Sequence, residues 1–210
     1  MIVSIQSCFE TLSVSLFGQD FKHLATSFVP HKHAQVDKID CLFNEIIKSN
    51  NITLLDINQI VTANGPGSFT GIRIGLAFTE GIACFSEMQK VFINNMQACL
   101  AGVVSSGANF ENIAIILPSV RGESYIQLFN KTLNPLTQSI NIDNKLIDDY
   151  LSEEKNKLNI NISLALFEGG DIKANLPNSY NLIRALQLGL RDDNMISSNI
   201  NYVRDAIRVK

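Results

Sequence analysis

Gly65, Pro66 and Gly67 stand between a short apolar run and a helical stripe. Their types and spacing could form a phosphate-binding loop. A glycine-rich turn leading into a helix can aim backbone amides at an anion, because the first helical turn leaves its N–H groups without intrahelical partners. Two common forms of that loop fail here. A Walker A loop needs Lys and then Ser or Thr after its last glycine, but Gly71 is followed by Ile72 and Arg73. The dinucleotide fingerprint is G-x-G-x-x-G inside a βαβ unit. Here the spacing is G-x-G-x-x-x-G, and no βαβ unit starts at residue 1. Pro66 also removes one amide from any cradle. A ligand-binding turn and a plain tight strand-to-helix turn both stay open from these residues.

Other chemistry-bearing patterns are sparse. His31 and His33 form an H-x-H pair in a loop, which could hold zinc, but no third ligand follows at motif spacing. No metal is expected. Neither H-E-x-x-H nor G-x-S-x-G occurs, so a peptidase or serine hydrolase reading has no support. Cys8, Cys41, Cys84 and Cys99 are isolated in apolar neighbourhoods and read as buried thiols in a reducing compartment.

The elements that position these residues follow from hydrophobic period. Residues 59–64 read as a buried strand. Ser68 or Thr70 can cap the next helix, since a hydroxyl accepts from first-turn amides. Over 71–85, Ile72, Leu76, Ile82 and Ala83 make a helical stripe, and Gly71, Gly75 and Thr79 fall four apart on one face. Glycine inside a helix costs about 1 kcal/mol against alanine. Gly71, Gly75 and Gly81 therefore imply close backbone approach, to another helix or to a ligand. Upstream, 2–6, 11–17 and 23–29 read as a three-stranded meander, with Leu12, Val14 and Leu16 alternating with Ser13 and Ser15. Residues 34–49 carry Val36, Ile39, Leu42, Phe43, Ile46 and Ile47 on one stripe. A strand at 90–94 and a small-residue helix at 96–105 follow.

The order then repeats. Strands are expected at 113–118, 124–130 and 136–142, then a helix capped by Asp143 and striped by Leu146, Ile147, Tyr150 and Leu151. A strand at 162–167 and a helix at 178–190, with Leu182, Leu186 and Leu190 four apart, complete the pattern. A βββαβα unit thus occurs twice. The break at SSGAN divides a lobe of residues 1–107 from a shorter, more divergent lobe of residues 108–210.

The 210 residues are 46% hydrophobic, with mean hydropathy +0.12, which suits one large domain or two small lobes. Net charge is −3, pI is about 5.6, and no basic domain is present, which argues against autonomous nucleic-acid binding. The start MIVSIQS has no basic region and no long apolar core, and no run approaches about 18 apolar residues. A cytoplasmic protein with no membrane partner is expected.

Residues 65–83, GPGSFTGIRIGLAFTEGIA, resemble the signature of the TsaB (YeaZ) family of tRNA threonylcarbamoyladenosine biosynthesis proteins, approximately G-P-G-S-F-T-G-[LIV]-R-[IV]-G. Gly65, Pro66, Gly67, Ser68, Phe69, Thr70 and Arg73 carry the loop motif, and residues 65–75 match it throughout. The resemblance is close in the first half and loose in the second. It implies an α/β, two-lobed actin-like, hexokinase-like ATPase (ASKHA) fold, in agreement with the duplicated βββαβα unit.

It also implies a non-catalytic scaffold or activator subunit. Such a subunit pairs with TsaD, which transfers threonylcarbamoyl from its adenylate to the tRNA adenosine beside the anticodon. TsaE, an ATPase, joins the complex. The chain would meet tRNA indirectly and have no cofactor of its own; ATP, ADP and metal would belong to the partner subunits. In relatives the first two helices, here 34–49 and 70–86, bundle with TsaD or with a second copy in a homodimer. That places Val36, Ile39, Phe43, Gly71, Ile72, Gly75, Leu76 and Thr79 at the expected partner interface. On this reading Gly75→Leu abolishes co-purification with TsaD and leaves the monomer folded.

The sequence departs from the family at two acidic positions. The first strand ends Ile5-Gln6-Ser7-Cys8 where relatives carry Ile-Asp-Thr, and a neutral Gln6 cannot hold a metal water near a phosphate. In the second half Ser119 stands where relatives have Asp, although Arg121 remains. Arg121 to Tyr125 reads as an anion-holding turn or as a surface hairpin. His33-Ala34-Gln35 matches the family's first-helix start, and Asn201-Tyr202-Val203-Arg204 its ending with Pro replaced by Asn201. Arg204, Arg208 and Lys210 form a small basic tail. The alternatives are a stand-alone actin-like nucleotide-dependent kinase or ATPase, which Gln6 and Ser119 oppose, and a bare homodimeric module.

Overall fold

A computed structural model describes residues 1–30, 35–84, 87–166, 170–173, 175–190 and 206–207. The chain divides into two compact units. One is Met1–Ala98 with Pro177–Asn201, and the other is Cys99–Leu176 with Tyr202–Lys210.

The first unit is built on β1 (Ile2–Gln6), β2 (Thr11–Phe17), β3 (His23–Pro30), α1 (Gln35–Ser49), β4 (Gln59–Ala63), α2 (Phe69–Ala83) and β5 (Gln89–Ile93); α3 (Asn95–Ser105) follows. The sheet order is β3-β2-β1-β4-β5. β1 pairs antiparallel with β2 and parallel with β4, so Ile5 lies opposite Val14 on one side and Thr62 on the other. Alternation along the strands sends Val3, Ile5, Leu12, Val14, Leu16 and Ile60 to one face. There they pack with Ile39, Leu42, Phe43 and Ile46 of α1. Phe43 meets Phe78 of α2 edge-on, with ring centroids 5.3 Å apart. Each such side chain contributes roughly 1.5–3 kcal/mol when fully buried.

The second unit contains β6 (Asn112–Pro118), β7 (Glu123–Asn130), β8 (Ile140–Asp143), α4 (Ile147–Leu158), β9 (Ser163–Leu166) and β10 (Ile172–Lys173). β6, β7 and β8 form an antiparallel meander, with β9 parallel to β6. Its core joins Ala114, Ile116, Ile126, Leu128 and Ile142 to Leu151 of α4. The strand expected over 136–142 is regular only from Ile140. Before it, Thr137 Oγ1 accepts from Leu128 N at 3.1 Å, so a side-chain oxygen takes a place that a ladder carbonyl would fill. Asp143 caps a short 3-10 turn, Asn144–Leu146, by accepting from Lys145 N; it does not cap α4 itself.

The last helix, α5 (Ser179–Gln187), belongs to the first unit, where sequence order had put it in a lobe of residues 108–210. The reason is a seam of hydroxyls. Ser13 and Ser15, the polar side of an alternating strand, are buried beneath α5. Ser179 N donates to Ser13 Oγ at 3.0 Å, Ser179 and Ser15 share a hydroxyl bond at 2.7 Å, and Ser4 Oγ donates to Ser179 O at 2.8 Å. Asn178 starts α5 with a reciprocal capping box to Asn181. A two-residue strand, β11 (Ala206–Ile207), pairs with β8. Among the described residues no helix is long and apolar enough to cross a membrane.

Candidate functional site

The Gly-Pro-Gly loop and the end of β1 form one buried hydrogen-bonded cluster. Gln6, Ser7, Cys8 and Asn95 are each at most 1% exposed. Gln6 Oε1 accepts from Cys8 N at 2.9 Å, and Gln6 Nε2 donates to Asn95 Oδ1 at 2.7 Å. Asn95 Nδ2 donates to Pro66 O at 2.8 Å, and Asn95 N to Gly65 O at 2.7 Å. Ser68 N donates to Cys8 O at 2.8 Å. Both ends of the Gln6 amide are therefore committed to holding the turn after β1 against the loop before α2. Burial pushes the Cys8 thiol up to about 12, so Cys8 is a neutral packing group here.

The close approach needs glycine at Gly67. Its φ is +155°, and a Cβ there would sit 2.8 Å from Cys8 O. Ser68, rather than Thr70, caps α2, accepting from Gly71 N at 3.2 Å. The actin-like fold implies a metal and a nucleotide phosphate beside the first strand, and these residues do not fit that group. Gln6 brings no charge, its acceptor and donor are both engaged, and the Cys8 and Ser68 amides point to protein oxygens.

The small-residue face of α2 turns inward. Gly71, Ile72, Gly75, Leu76 and Thr79 are buried. Ser7 Oγ donates to Gly71 O at 2.8 Å, and a Cβ on Gly75 would lie 2.5 Å from Ser7 Oγ and 3.3 Å from Thr62 Oγ1. Gly75 lets α2 sit directly on β4 and on Ser7, just beyond the end of β1. Ile39 and Phe43 of α1 are likewise core residues. The expected partner interface of Ile39, Phe43, Gly71, Ile72, Gly75, Leu76 and Thr79 is thus corrected: their small or apolar side chains serve the internal packing of the first unit. Val36 lies on α1, but its side chain is outside the described residues. Gly75→Leu would strike Ser7 and Thr62 and could not leave the monomer undisturbed.

The opposite face of α2 is open. Phe69, Arg73, Ala77, Gly81 and Cys84 are exposed at helical spacing. The Arg73 guanidinium lies over the Phe69 ring, 5.2 Å from its centroid. A Cβ on Gly81 would meet nothing within 4 Å. Beside it, α1 exposes Lys38, Cys41, Asn44, Glu45 and Lys48.

In the second unit, Arg121 and Gly122 are the two central residues of a tight hairpin, with φ of +61° and +79°. Ser119 N donates to Glu123 O at 3.0 Å, and Glu123 Oε2 accepts from Asn141 Nδ2 at 2.7 Å. Of the two readings of this stretch, the surface hairpin is the one found. His31, His33, Ala34, the ending at 201–204, Arg208 and Lys210 lie outside the described residues. Asn95 had no motif to announce it. Its position at the end of a strand, where a helix begins, was its one signal.

Fold and loop together define a two-lobed, actin-like α/β protein whose first-strand turn is closed on itself. A family profile described as TsaD, tRNA N6-adenosine threonylcarbamoyltransferase, matches residues 27–148, more than half of the chain. The tRNA threonylcarbamoyladenosine biosynthesis protein TsaB of Escherichia coli (strain K12) is 29% identical over 101 residues, covering 48% of this chain and 43% of that protein. The match thus spans less than half of that relative's length. TsaB of Buchnera aphidicola subsp. Acyrthosiphon pisum is 21% identical over 218 residues, covering 97% of each. YeaZ from Pseudomonas aeruginosa superposes with a TM-score of 0.66 over 90% of this chain and 91% of that one; at 12% identity this speaks to the fold. The chain belongs to this threonylcarbamoyltransferase-related family and, within it, to the TsaB (YeaZ) group.

Proposed function

We propose that the chain is a holding subunit in the formation of threonylcarbamoyladenosine in tRNA. It pairs with a TsaD-type transferase, meets TsaE and tRNA through that complex, and contributes no nucleotide or metal site. The observation that carries this reading is the closed β1 turn. Gln6 is spent on Cys8 N and Asn95, at the point where an actin-like kinase needs a carboxylate. A stand-alone kinase or ATPase would have to break that cluster and still lack the charge.

The pairing surface in this proposal is the outward side of α1 and α2. Ala77 and Gly81 allow a partner helix to come close, and Phe69 with Arg73 supplies a large apolar and cationic anchor beside them. The same surface offers a homodimer contact when the partner is absent. The test is co-purification with TsaD of wild type and Gly81→Trp. A tryptophan here has open space in the monomer, so it blocks the partner without disturbing the fold. Loss of TsaD capture with an unchanged thermal midpoint supports the proposal. Undiminished capture removes this surface from it, and micromolar Mg-ATP binding with turnover by the isolated chain removes the holding role.

A further inference from the structure

β3 is the outer strand of the first sheet and pairs with β2 on one side only. Among the described residues its backbone bonds to no other element, so the N–H and C=O groups on its outer side have no strand to meet. Edge strands are ordinarily blunted by charge, by proline or by a bulge. Here the charge is missing, because no Lys, Arg, Asp or Glu lies between His23 and Pro30. Pro30 closes one end of the row. At the other end Leu24 is the extra residue where the register slips against Leu16 and Phe17. The edge stays open between them. Its two faces differ. Ala25 and Val29 join the core beneath α1, and Ser27 Oγ donates to Glu45 of α1 at 2.8 Å. Thr26 and Phe28 alternate to the other side, where Thr26 and Ser15 share a hydroxyl bond at 2.7 Å. Phe28 is 62% exposed there, and Leu24 at the bulge is 42% exposed.

We propose that this edge pairs with the same edge of a second copy, antiparallel about a two-fold axis at Thr26, and so joins two five-stranded sheets into one. Antiparallel pairing sets residues of one face directly opposite each other. With Thr26 against Thr26 of the second copy, Ala25 meets Ser27 and Leu24 meets Phe28, each twice by symmetry. Thr with Thr, and an aliphatic with an aromatic chain, are the cross-strand pairs that stabilise sheets. A register centred on Ser27 instead sets Leu24 against Pro30 and loses the apolar pair. The register centred on Thr26 also brings opposite charges together. Lys22 of one copy comes opposite Pro30 of the other, which pairs with Thr11 in β2, and Glu10 precedes Thr11. Lys22 and Glu10 are both exposed. The proposal stands independently of the role assigned to the outward side of α1 and α2.

Sedimentation velocity of the full chain is run from about 5 to about 500 µM, a range around the dissociation constant on the order of 100 µM expected of so small an interface. Wild type is expected to pass from monomer to dimer across that range, and backbone amide exchange within residues 25–29 to slow as the dimer fills. Phe28→Lys changes an exposed side chain and places a charge beside the edge. It is expected to weaken the dimer by about tenfold or more. Gly81→Trp alters α2 and is expected to leave this dimer intact. The proposal is overturned if wild type stays monomeric to the top of the range, if folded Phe28→Lys dimerises as wild type does, or if a dimer forms without slower exchange in 25–29. A dimer lost in Gly81→Trp and kept in Phe28→Lys also overturns it, and leaves the α2 surface standing. The exchange measurement on wild type decides the matter even where a variant does not fold.

Discussion

Replacing Gly75 by alanine adds one methyl group where α2 rests on its sheet, and the structure fixes what that methyl meets. It would lie 2.5 Å from Ser7 Oγ and 3.3 Å from Thr62 Oγ1. Ser7 can relieve the first contact only by rotating away from Gly71 O, which breaks a buried 2.8 Å hydrogen bond. An unsatisfied buried hydroxyl costs about 1–3 kcal/mol, and if α2 lifts instead, overpacking costs about the same. Alanine regains about 1 kcal/mol of helix propensity. Gly81→Ala on the same helix regains it too, but its methyl meets nothing. Comparing the two variants cancels the propensity term and leaves a difference of about 1–3 kcal/mol. At about 2–4 °C per kcal/mol for a chain of this size, Gly75→Ala should melt roughly 2–12 °C below Gly81→Ala. The assay is thermal unfolding followed by circular dichroism, repeated in a Ser7→Ala background, where the penalty should shrink because the clashing oxygen is gone. Equal midpoints for the two alanine variants would refute the inward reading of the stripe.

Gln6→Ala should destabilise the first unit by about 2–4 kcal/mol, since it leaves Cys8 N and Asn95 Oδ1 without their partners; urea midpoints measure it. Ser179→Ala removes one hydroxyl contact of the α5 seam, the one with Ser15, and should cost about 0.5–1.5 kcal/mol, with earlier proteolytic cutting of 177–190 as the readout. Burial pushes the thiols of Cys8 and Cys99 up to about 12. The folded state then keeps protons that the unfolded chain releases from an ordinary value of 9.0, so stability is constant below about pH 9 and falls as pH rises above it. The loss approaches about 1.4 kcal/mol per pH unit for each thiol, which urea unfolding at pH 8, 9 and 10 can follow. At pH 8 a thiol reagent should label exposed Cys41 and Cys84 in the native chain, and Cys8 and Cys99 only after unfolding.

Much of this architecture was legible from local pattern. The alternation of Leu12, Val14 and Leu16 marked β2, and the glycine loop marked the junction of β4 with α2. Other features depend on distant partners and carry no local signal. Ser13 and Ser15 showed only as the other side of β2, because the helix that buries them arrives from residue 179, far along the chain. The direction of the Gly71 and Gly75 stripe was equally hidden. Close approach holds at Gly75, but against the chain's own Ser7 and Thr62 and not another helix or a ligand, and a Cβ on Gly81 would meet nothing. Gln6 was visible as a departure from its relatives, and its hydrogen-bonding role appeared only with Asn95 beside it.

The central claim is that this chain works by holding a partner on the outward side of α1 and α2. The most direct measurement is the threonylcarbamoyladenosine content of tRNA after incubation with TsaD, TsaE and the adenylate-forming synthase. Those proteins should modify tRNA with the wild-type chain present, and Gly81→Trp should reduce the product by tenfold or more despite an intact fold. Equal product without the chain, or with Gly81→Trp in its place, would contradict the account.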